Sequence, residues 1–569
     1  MAGFVAKRMP LVIATALVAA LPISQTTSAQ ARFQMGQTRA VVMAPTGMVA
    51  TSQPLAVQVG LEILKKGGNA IDAAVAANAA LGLMEPRSCG VGGDLFVIYW
   101  DNASRRLYGL NASGRSPYEL SIEKFRELGH HETIPEQDPL AWSVPGCVDG
   151  WDVLLKRFGS MGLAEVLAPA IRYAEHGFPV ANWAADPDSE IAQRTEFRQT
   201  YLPHGRNLRN GEVFKNPDLA RTYRLIAEKG RNAFYEGKIA REIAAYSKRV
   251  GGFITMKDLR DHSSEWVEPV STNYRGYDVW ELPPNGQGLA VLQMLNILEG
   301  FDLRAMGHNS AQYLHLLIEA KKLAFADRAR FYADMEFSHV PVKGLISKRY
   351  AAKRRALIKM GKAAMDDPYG SPPDQGETVY LTVTDKERNM VSLIQSVYWI
   401  WGSGFVPADL GFVLQNRGAL FSLDQEHPNR FEPHKRPFHT IIPAFVTRNG
   451  KPWFCFGVMG GAMQPQGQVQ VLCNIIDFGM NIQAAGDAPR FRHMGSSQPT
   501  GVKMEAGGCV ALEFGIDPDV RRELHQKGHK LVSPLGEFFG GYQGIMLDPE
   551  SGMLHGASDP RRDGCAFGY

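Results

Sequence analysis

"GETVYLTVTDKERNMVSLIQS", residues 376–396, decides how this chain is read. Val379, Leu381 and Val383 alternate with Tyr380, Thr382 and Thr384, the period-two pattern of a strand. Asp385 to Asn389 supply turn residues and Met390 to Ser396 return, so the stretch predicts a β-hairpin. Ahead of it runs "DDPYGSPPDQGE", residues 366–377, polar and rich in proline and glycine. That composition reads as an exposed linker. The hairpin therefore begins abruptly, on Thr378.

A threonine in that place has two readings. One is a strand-initiating residue behind a surface loop. The other is chemical: were the chain cut before Thr378, its new α-amine could act as the base for its own hydroxyl. An α-amine has a reference pKa of about 7.7–8.0, so a useful fraction is neutral near pH 7. The pattern alone leaves both open.

Composition narrows the field. The 569 residues are 45% hydrophobic and 21% charged, enough for a large core. A net charge of +3 without a clustered basic stripe gives no support for a nucleic-acid partner. Lys7 and Arg8 precede "LVIATALVAALPI" and then "SQTTSAQA", the layout of a secretory signal. Residues 1–31 are expected to be removed, after Ala29 or Ala31, leaving a periplasmic or secreted protein without a membrane segment. The six cysteines form no C-x-x-C pair and are expected to be core thiols rather than a disulfide framework.

Along the chain, residues 54–83 predict two helices broken at Gly67-Gly68, the second apolar all round and hence buried. "CGVGGDLFVIYWD" leads a glycine-rich turn into a strand over Leu95–Trp100, and "RRLYGLNAS" into another. Short helices are expected over 117–128 and 162–175, with more across 217–248. "VSTNYRGYDVWELPP" reads as a strand pair, "NGQG" opens a helix at Leu289–Leu298, and a long helix spans about Ala311–Ala333. The basic run "KRYAAKRRALIKMGK" is expected to be a solvated helix face. Beyond the linker, hairpins dominate, with Asn449-Gly450 as a strong turn signal and a helix at about Gly467–Phe478. Segregated runs of strands and helices favour an α+β fold.

Several motifs carry no chemistry of their own. There is no H-E-x-x-H and no G-x-S-x-G, and His130-His131 and the His434/His439 pair lack a third ligand. "GVGGD" and "NGQG" fit neither a Walker A nor a dinucleotide pattern and read as turn glycines. Nothing in the sequence calls for a metal or an organic cofactor.

Four long stretches resemble the gamma-glutamyltranspeptidase family in family order: "GGNAIDAAVAANAALGLMEPRSCGVGGDLFVIYWD", "ETVYLTVTDKERNMVSLIQSVYWIWGSGF", "KRPFHTIIPAFV" and "VMGGAMQPQGQVQVLCNIIDFGMNIQAAGDAPRFRH". The resemblance runs from about Met43 to Tyr569. It implies a four-layer αββα sandwich of the N-terminal-nucleophile (Ntn) hydrolase kind and self-cleavage between Glu377 and Thr378. Residues 32–377 would then be a large subunit and 378–569 a small one, held together as a heterodimer. It further implies Thr378 as nucleophile and base, Ser396 as the hydroxyl that supports it, and Gly460 and Gly461 as the oxyanion hole. The partner would be a small-molecule amide or peptide, resolved by hydrolysis or by transfer. A catalytically silent binding relative is the alternative of another class, but a pure binder needs neither Thr378 nor the glycine pair.

The chain also departs from the family. Where typical members carry "NNQMDDFS", with an acidic residue for the substrate α-amine, "QNRGALFS" at 415–422 keeps Asn416 but brings Arg417 and no aspartate. Tyr398 replaces an asparagine, and His439-Thr440 replace the serine pair for the α-carboxylate, while Arg115 matches the family's carboxylate-binding arginine. An ammonium without a carboxylate partner is costly to bury. The substitutions therefore point to a substrate with a carboxylate and no α-amine, as in glutaryl amides or oxamate. The branch it resembles contains cephalosporin acylases and oxamate amidohydrolase. The resemblance as a whole implies hydrolysis of a gamma-glutamyl or related carboxylate-bearing amide, with an oxamate- or glutaryl-amide hydrolase lacking true gamma-glutamyl activity as the alternative. Tyr398, Trp399 and Trp401 would line an apolar pocket or pack in the core.

Overall fold

The computed structural model describes residues 37–181, 183, 188–365, 377–533 and 539–569. The expected signal segment and the linker over 366–376 lie outside the described residues. Within them, the predicted hairpin forms at Glu377–Thr384 and Met390–Tyr398, in register with Leu381 opposite Leu393. Its alternation sorts side chains onto two faces. Val379, Leu381, Val383, Val391 and Leu393 pack toward helices, while Tyr380, Met390 and Ile394 point into a second apolar layer.

Two seven-stranded antiparallel sheets account for those layers among the described residues. The hairpin lies centrally in one, flanked by Met48–Thr51 on one side and by Asp94–Asp101 on the other. The other sheet is built around Ala444–Arg448, Lys451–Val458 and Tyr542–Leu547. Phe96, Ile98, Trp100, Tyr380, Phe445, Cys455 and Ile545 fill the gap between the sheets. Trp100 and Phe445 stack there from opposite sheets, with ring centroids 6.4 Å apart.

Helices cover both outer faces, completing the αββα sandwich. Ala70–Met84, buried at every residue, lies against the hairpin sheet, and its run of alanines leaves room for close approach. Asn69 and Asp72 close its start as a capping box. Leu289–Leu298, Ala311–Phe331 and Met463–Ile476 cover the other sheet. Among the described residues, no helix is long and apolar enough to cross a membrane, and all six cysteines are free thiols.

Two expectations change, and of the two readings open for Trp401 the structure takes the core one. The helix expected over 117–128 shrinks to Ile122–Glu127, because Ser121 caps it. The basic run is helical only over Lys348–Arg355 and is not simply a solvated face. Arg355 donates to the carbonyls of Asn296 and Ile297, and so serves the exposed carbonyl end of the Leu289–Leu298 helix. Trp401 packs among Trp183, Phe197 and Tyr201 as a core residue.

The inter-sheet layer is the test of this architecture. Phe445→Ala should lower unfolding free energy by about 3–5 kcal/mol, the usual cost of emptying a buried phenylalanine site. A guanidinium midpoint within error of the parent would contradict the layered core.

Candidate active site

Strand pairing sets the site. Even-numbered residues of the Glu377–Thr384 strand face the gap between the sheets, so Thr378 points there, and it is buried. Ser396 faces the same way and pairs with Asp94 on the next strand. Between Glu377 and Val379 the register slips: Glu377 pairs with Tyr398 and Val379 with Gln395. This bulge leaves Ser396 and Val397 opposite Thr378, an irregularity of the kind that re-aims side chains next to functional sites. Tyr398, at the strand end, has a φ of +80°, in a region costly for a bulky residue.

The opposite sheet supplies the other wall. The Lys451–Val458 strand ends in Met459, Gly460 and Gly461 before the Met463–Ile476 helix begins. Gly460 and Gly461 have φ of +110° and +59°, conformations that glycine adopts without penalty. No acceptor among the described residues takes the backbone N–H of either glycine. From the first turn of the helix, Gln464 reaches across and places its Nε2 3.4 Å from Thr378 Oγ1. Its Oε1 accepts from Ile442 N, which fixes the orientation of the amide.

Arg417 occupies the space beside Ser396. It is fully buried, with Nη2 donating to Ser396 Oγ at 2.9 Å and Nη1 to Thr440 Oγ1 at 2.6 Å. Its guanidinium carbon lies 4.6 Å from the centre of the Tyr398 ring, a cation–π contact. Burial pulls its pKa down to about 10, so it stays charged near neutral pH. Nε meets no acceptor, and no carboxylate pairs directly with the guanidinium among the described residues. The charge of Asp94 offsets part of the desolvation, but not through a direct ion pair, the contact that normally repays burial of a cation.

The other sequence candidates fall in distinct places. His439 is buried, accepts from Ile441 N on Nδ1 and donates from Nε2 to Asp94 Oδ2 at 3.0 Å. Burial, and secondarily Arg417, lowers its pKa to about 4 against the opposing pull of Asp94, so it is neutral at pH 7. Asn416 spends its amide on backbone, accepting from Trp399 N and donating to Glu136 O. The Arg115 guanidinium turns away to Glu336 at 2.7 Å, Asp334 at 3.6 Å and the carbonyl of His434. It is thus already paired with carboxylates, unlike Arg417.

Asp94 and Gln287 were missed by the sequence reading. Asp94 closes "GVGGD"; its carboxylate accepts from Gly114 N, Gly146 N, Gln415 Nε2 and His439. Gln287, from "NGQG", donates to the carbonyls of Thr440 and Gly461 and accepts from Arg328. A signal existed for Asp94: an acid opening an apolar strand must be paired once buried. Gln287 had none, because its partners lie between about forty and more than a hundred residues away.

The chain as a whole has counterparts among known proteins. The sequence model of the family described as gamma-glutamyltranspeptidase matches residues 56–569. The chain belongs to the gamma-glutamyltranspeptidase family. The glutathione hydrolase-like YwrD proenzyme of Bacillus subtilis is 39% identical over 92% of this chain and 98% of its own length. The oxamate amidohydrolase proenzyme of Klebsiella pneumoniae is 34% identical over 92% of this chain and 98% of its own. Among solved structures, the cephalosporin acylase of Bacillus halodurans superposes with a TM-score of 0.86 at 43% identity, covering 93% of this chain and 97% of that one. The fold is accordingly that of the family's Ntn hydrolases, and the family has acylase and amidohydrolase members.

His439 ties the site to pH. Its folded pKa of about 4 lies below the ordinary 6.5, so the unfolded chain takes up the proton first as pH falls. The stability it contributes is complete above pH 6.5 and declines as pH falls toward 4. His439→Gln removes that proton uptake and keeps an N–H for Asp94. Between pH 7 and 4.5 the variant should lose less unfolding free energy than the parent, by on the order of 2 kcal/mol. Parallel pH profiles would refute this environment for His439.

Proposed function

We propose that the chain is a self-processing amide hydrolase that cuts itself before Thr378 and then uses Thr378 as nucleophile and base. Its substrate is an amide whose acyl part ends in a carboxylate. In processing, Thr378 Oγ attacks the Glu377 carbonyl carbon, the Glu377–Thr378 C–N bond breaks, and an ester forms while the nitrogen becomes an amine. Water hydrolyses the ester, releasing the Glu377 carboxylate and the Thr378 hydroxyl. In turnover the α-amine takes the hydroxyl proton as Oγ attacks the substrate carbonyl, then delivers it to the departing amine. Water resolves the acyl-enzyme. The N–H groups of Gly460 and Gly461, at the positive end of the following helix, suit the oxyanion. Ser396 accepts from Arg417 and from Tyr398 N, and these bonds fix its hydroxyl on the strand paired with that of Thr378, where it would support the nucleophile.

The observation that carries the substrate reading is Arg417: a fully buried guanidinium beside Ser396, with Nε unpaired and no carboxylate on it. A substrate carboxylate would supply the missing charge. Glutaryl amides and oxamate have one and carry no α-amine, which accords with the oxamate amidohydrolase and cephalosporin acylase among the relatives. The glutathione hydrolase-like relative favours a second reading, a gamma-glutamyl amide, whose ammonium would need an acid elsewhere. The leader-like N-terminus supports export to the periplasm or medium.

A denaturing gel tests processing. The purified chain should give two fragments, the smaller beginning at Thr378, and Thr378→Ala a single full-length band. One band from the parent would refute self-cleavage. Assays with glutathione, a glutaryl amide and oxamate test the substrate class. Arg417→Met should still process, yet lose at least about 30-fold in kcat/KM on the carboxylate-bearing amide, as expected when a buried charge partner is removed. Faster turnover of glutathione than of either alternative would overturn the role given to Arg417.

A further inference from the structure

Away from this site, three buried metal-ligating side chains converge. His315 and Glu319 lie one turn apart on the Ala311–Phe331 helix, and therefore on one face. His529 approaches them from beyond the Pro518–Gln526 helix. One ligand atom from each of the three lies within 4.8 Å of those of the others, and all three residues are buried.

Hydrogen bonding decides which nitrogens are available. His315 Nε2 lies 3.0 Å from the carbonyl of Lys359, which can only accept, so Nε2 carries the proton. In the neutral ring Nδ1 then presents its lone pair, and it faces His529 Nε2 at 2.8 Å. A histidine whose far nitrogen is held by a carbonyl has the outer-shell support usual for a metal ligand. Burial, helped by Lys322, pulls the pKa of His529 down to about 3, and burial lowers that of His315. Both rings are therefore in the neutral, ligating form near pH 7. Glu319 accepts from Lys322 Nζ at 2.8 Å and Ala364 N at 3.0 Å, which leaves lone pairs on the carboxylate.

We propose that His315, Glu319 and His529 form a binding site for one divalent transition-metal ion. Two imidazoles and one carboxylate suit Zn2+, Co2+ or Ni2+ better than Ca2+ or Mg2+, which prefer all-oxygen sites. Binding replaces the histidine–histidine hydrogen bond. The His529 proton passes through solvent from Nε2 to Nδ1, and both facing lone pairs then reach the ion. Lys322 and Lys527 both face the cluster, and their charge moderates the affinity. The same residues hold segment 359–364: Lys359 through His315, Ala364 through Glu319 and Lys322, and Ala363 through the carbonyl of Lys527. That segment precedes the stretch ending at Glu377 in sequence, so the ion would anchor the chain ahead of the proposed cut.

The test uses untagged, chelator-dialysed full-length protein and does not depend on its activity, so its outcome is separate from that of the proposed hydrolysis. Calorimetric titration with ZnCl2 should give one ion per chain. CoCl2 should give visible d–d absorption typical of nitrogen and oxygen ligands. His315→Ala and His529→Gln should each weaken Zn2+ binding by at least about 100-fold, more than the loss seen for outer-shell changes. Glu319→Gln, which retains an acceptor for Ala364 N, should weaken it by about 10-fold and guards against misfolding of the histidine variants. Saturating Zn2+ should raise the melting temperature of the parent and of no histidine variant. Absence of stoichiometric binding by the parent, or equal binding by parent and variants, overturns the site.

Discussion

Val379, Leu381 and Val383 face one apolar layer and Tyr380 faces another, so the central hairpin has no side that can meet water. A two-stranded ribbon cannot satisfy that condition alone. It needs neighbours at both edges, a second sheet against one face and helices against the other. The second sheet is equally apolar on its outer side and takes helices of its own. The four layers are thus the smallest arrangement that keeps the hairpin dry.

The same condition makes the polar residues of the inter-sheet layer costly. Thr378, Ser396, Asp94 and His439 lie where Phe96 and Tyr380 also lie, and each of these four has a hydrogen-bond partner within the protein. Asp94 organises this patch, since its carboxylate binds four donors from distant parts of the chain. The charge of Arg417 has no such arrangement around it. Arg417 hydrogen-bonds only to the hydroxyls of Ser396 and Thr440, so a ligand carboxylate beside Ser396 would be its first contact with an anion.

Much of the fold was readable because it rests on local periodicity. The hairpin, the helix pair broken at Gly67-Gly68 and the Leu289–Leu298 helix all carry strong short-range patterns. The small sheet of Phe491–Met494, Cys509–Leu512 and Leu531–Val532 does not, because its strands are two to four residues long and one pair is parallel. In the site, Thr378 and the glycine pair were visible through a chemical pattern and a family likeness. The orientation of Arg115 was not, because Glu336 and Asp334, which hold it, lie more than two hundred residues away. The partners of Asp94, Gln287 and Arg417 are likewise long-range contacts that leave no trace in spacing.

Each sheet draws strands from both sides of position 377. Glu377–Thr384 lies between Met48–Thr51 and Met390–Tyr398, and the other sheet sets Tyr277–Glu281 beside Ala444–Arg448. Two pieces produced by a break at that peptide would be interleaved like shuffled cards, not joined at a seam. Neither could close a sheet or cover a core by itself, so each piece would be completed by strands of the other. A break made after folding would leave every strand pairing in place and create two new ends at one point, a carboxylate and an amine, the amine at the head of a central strand.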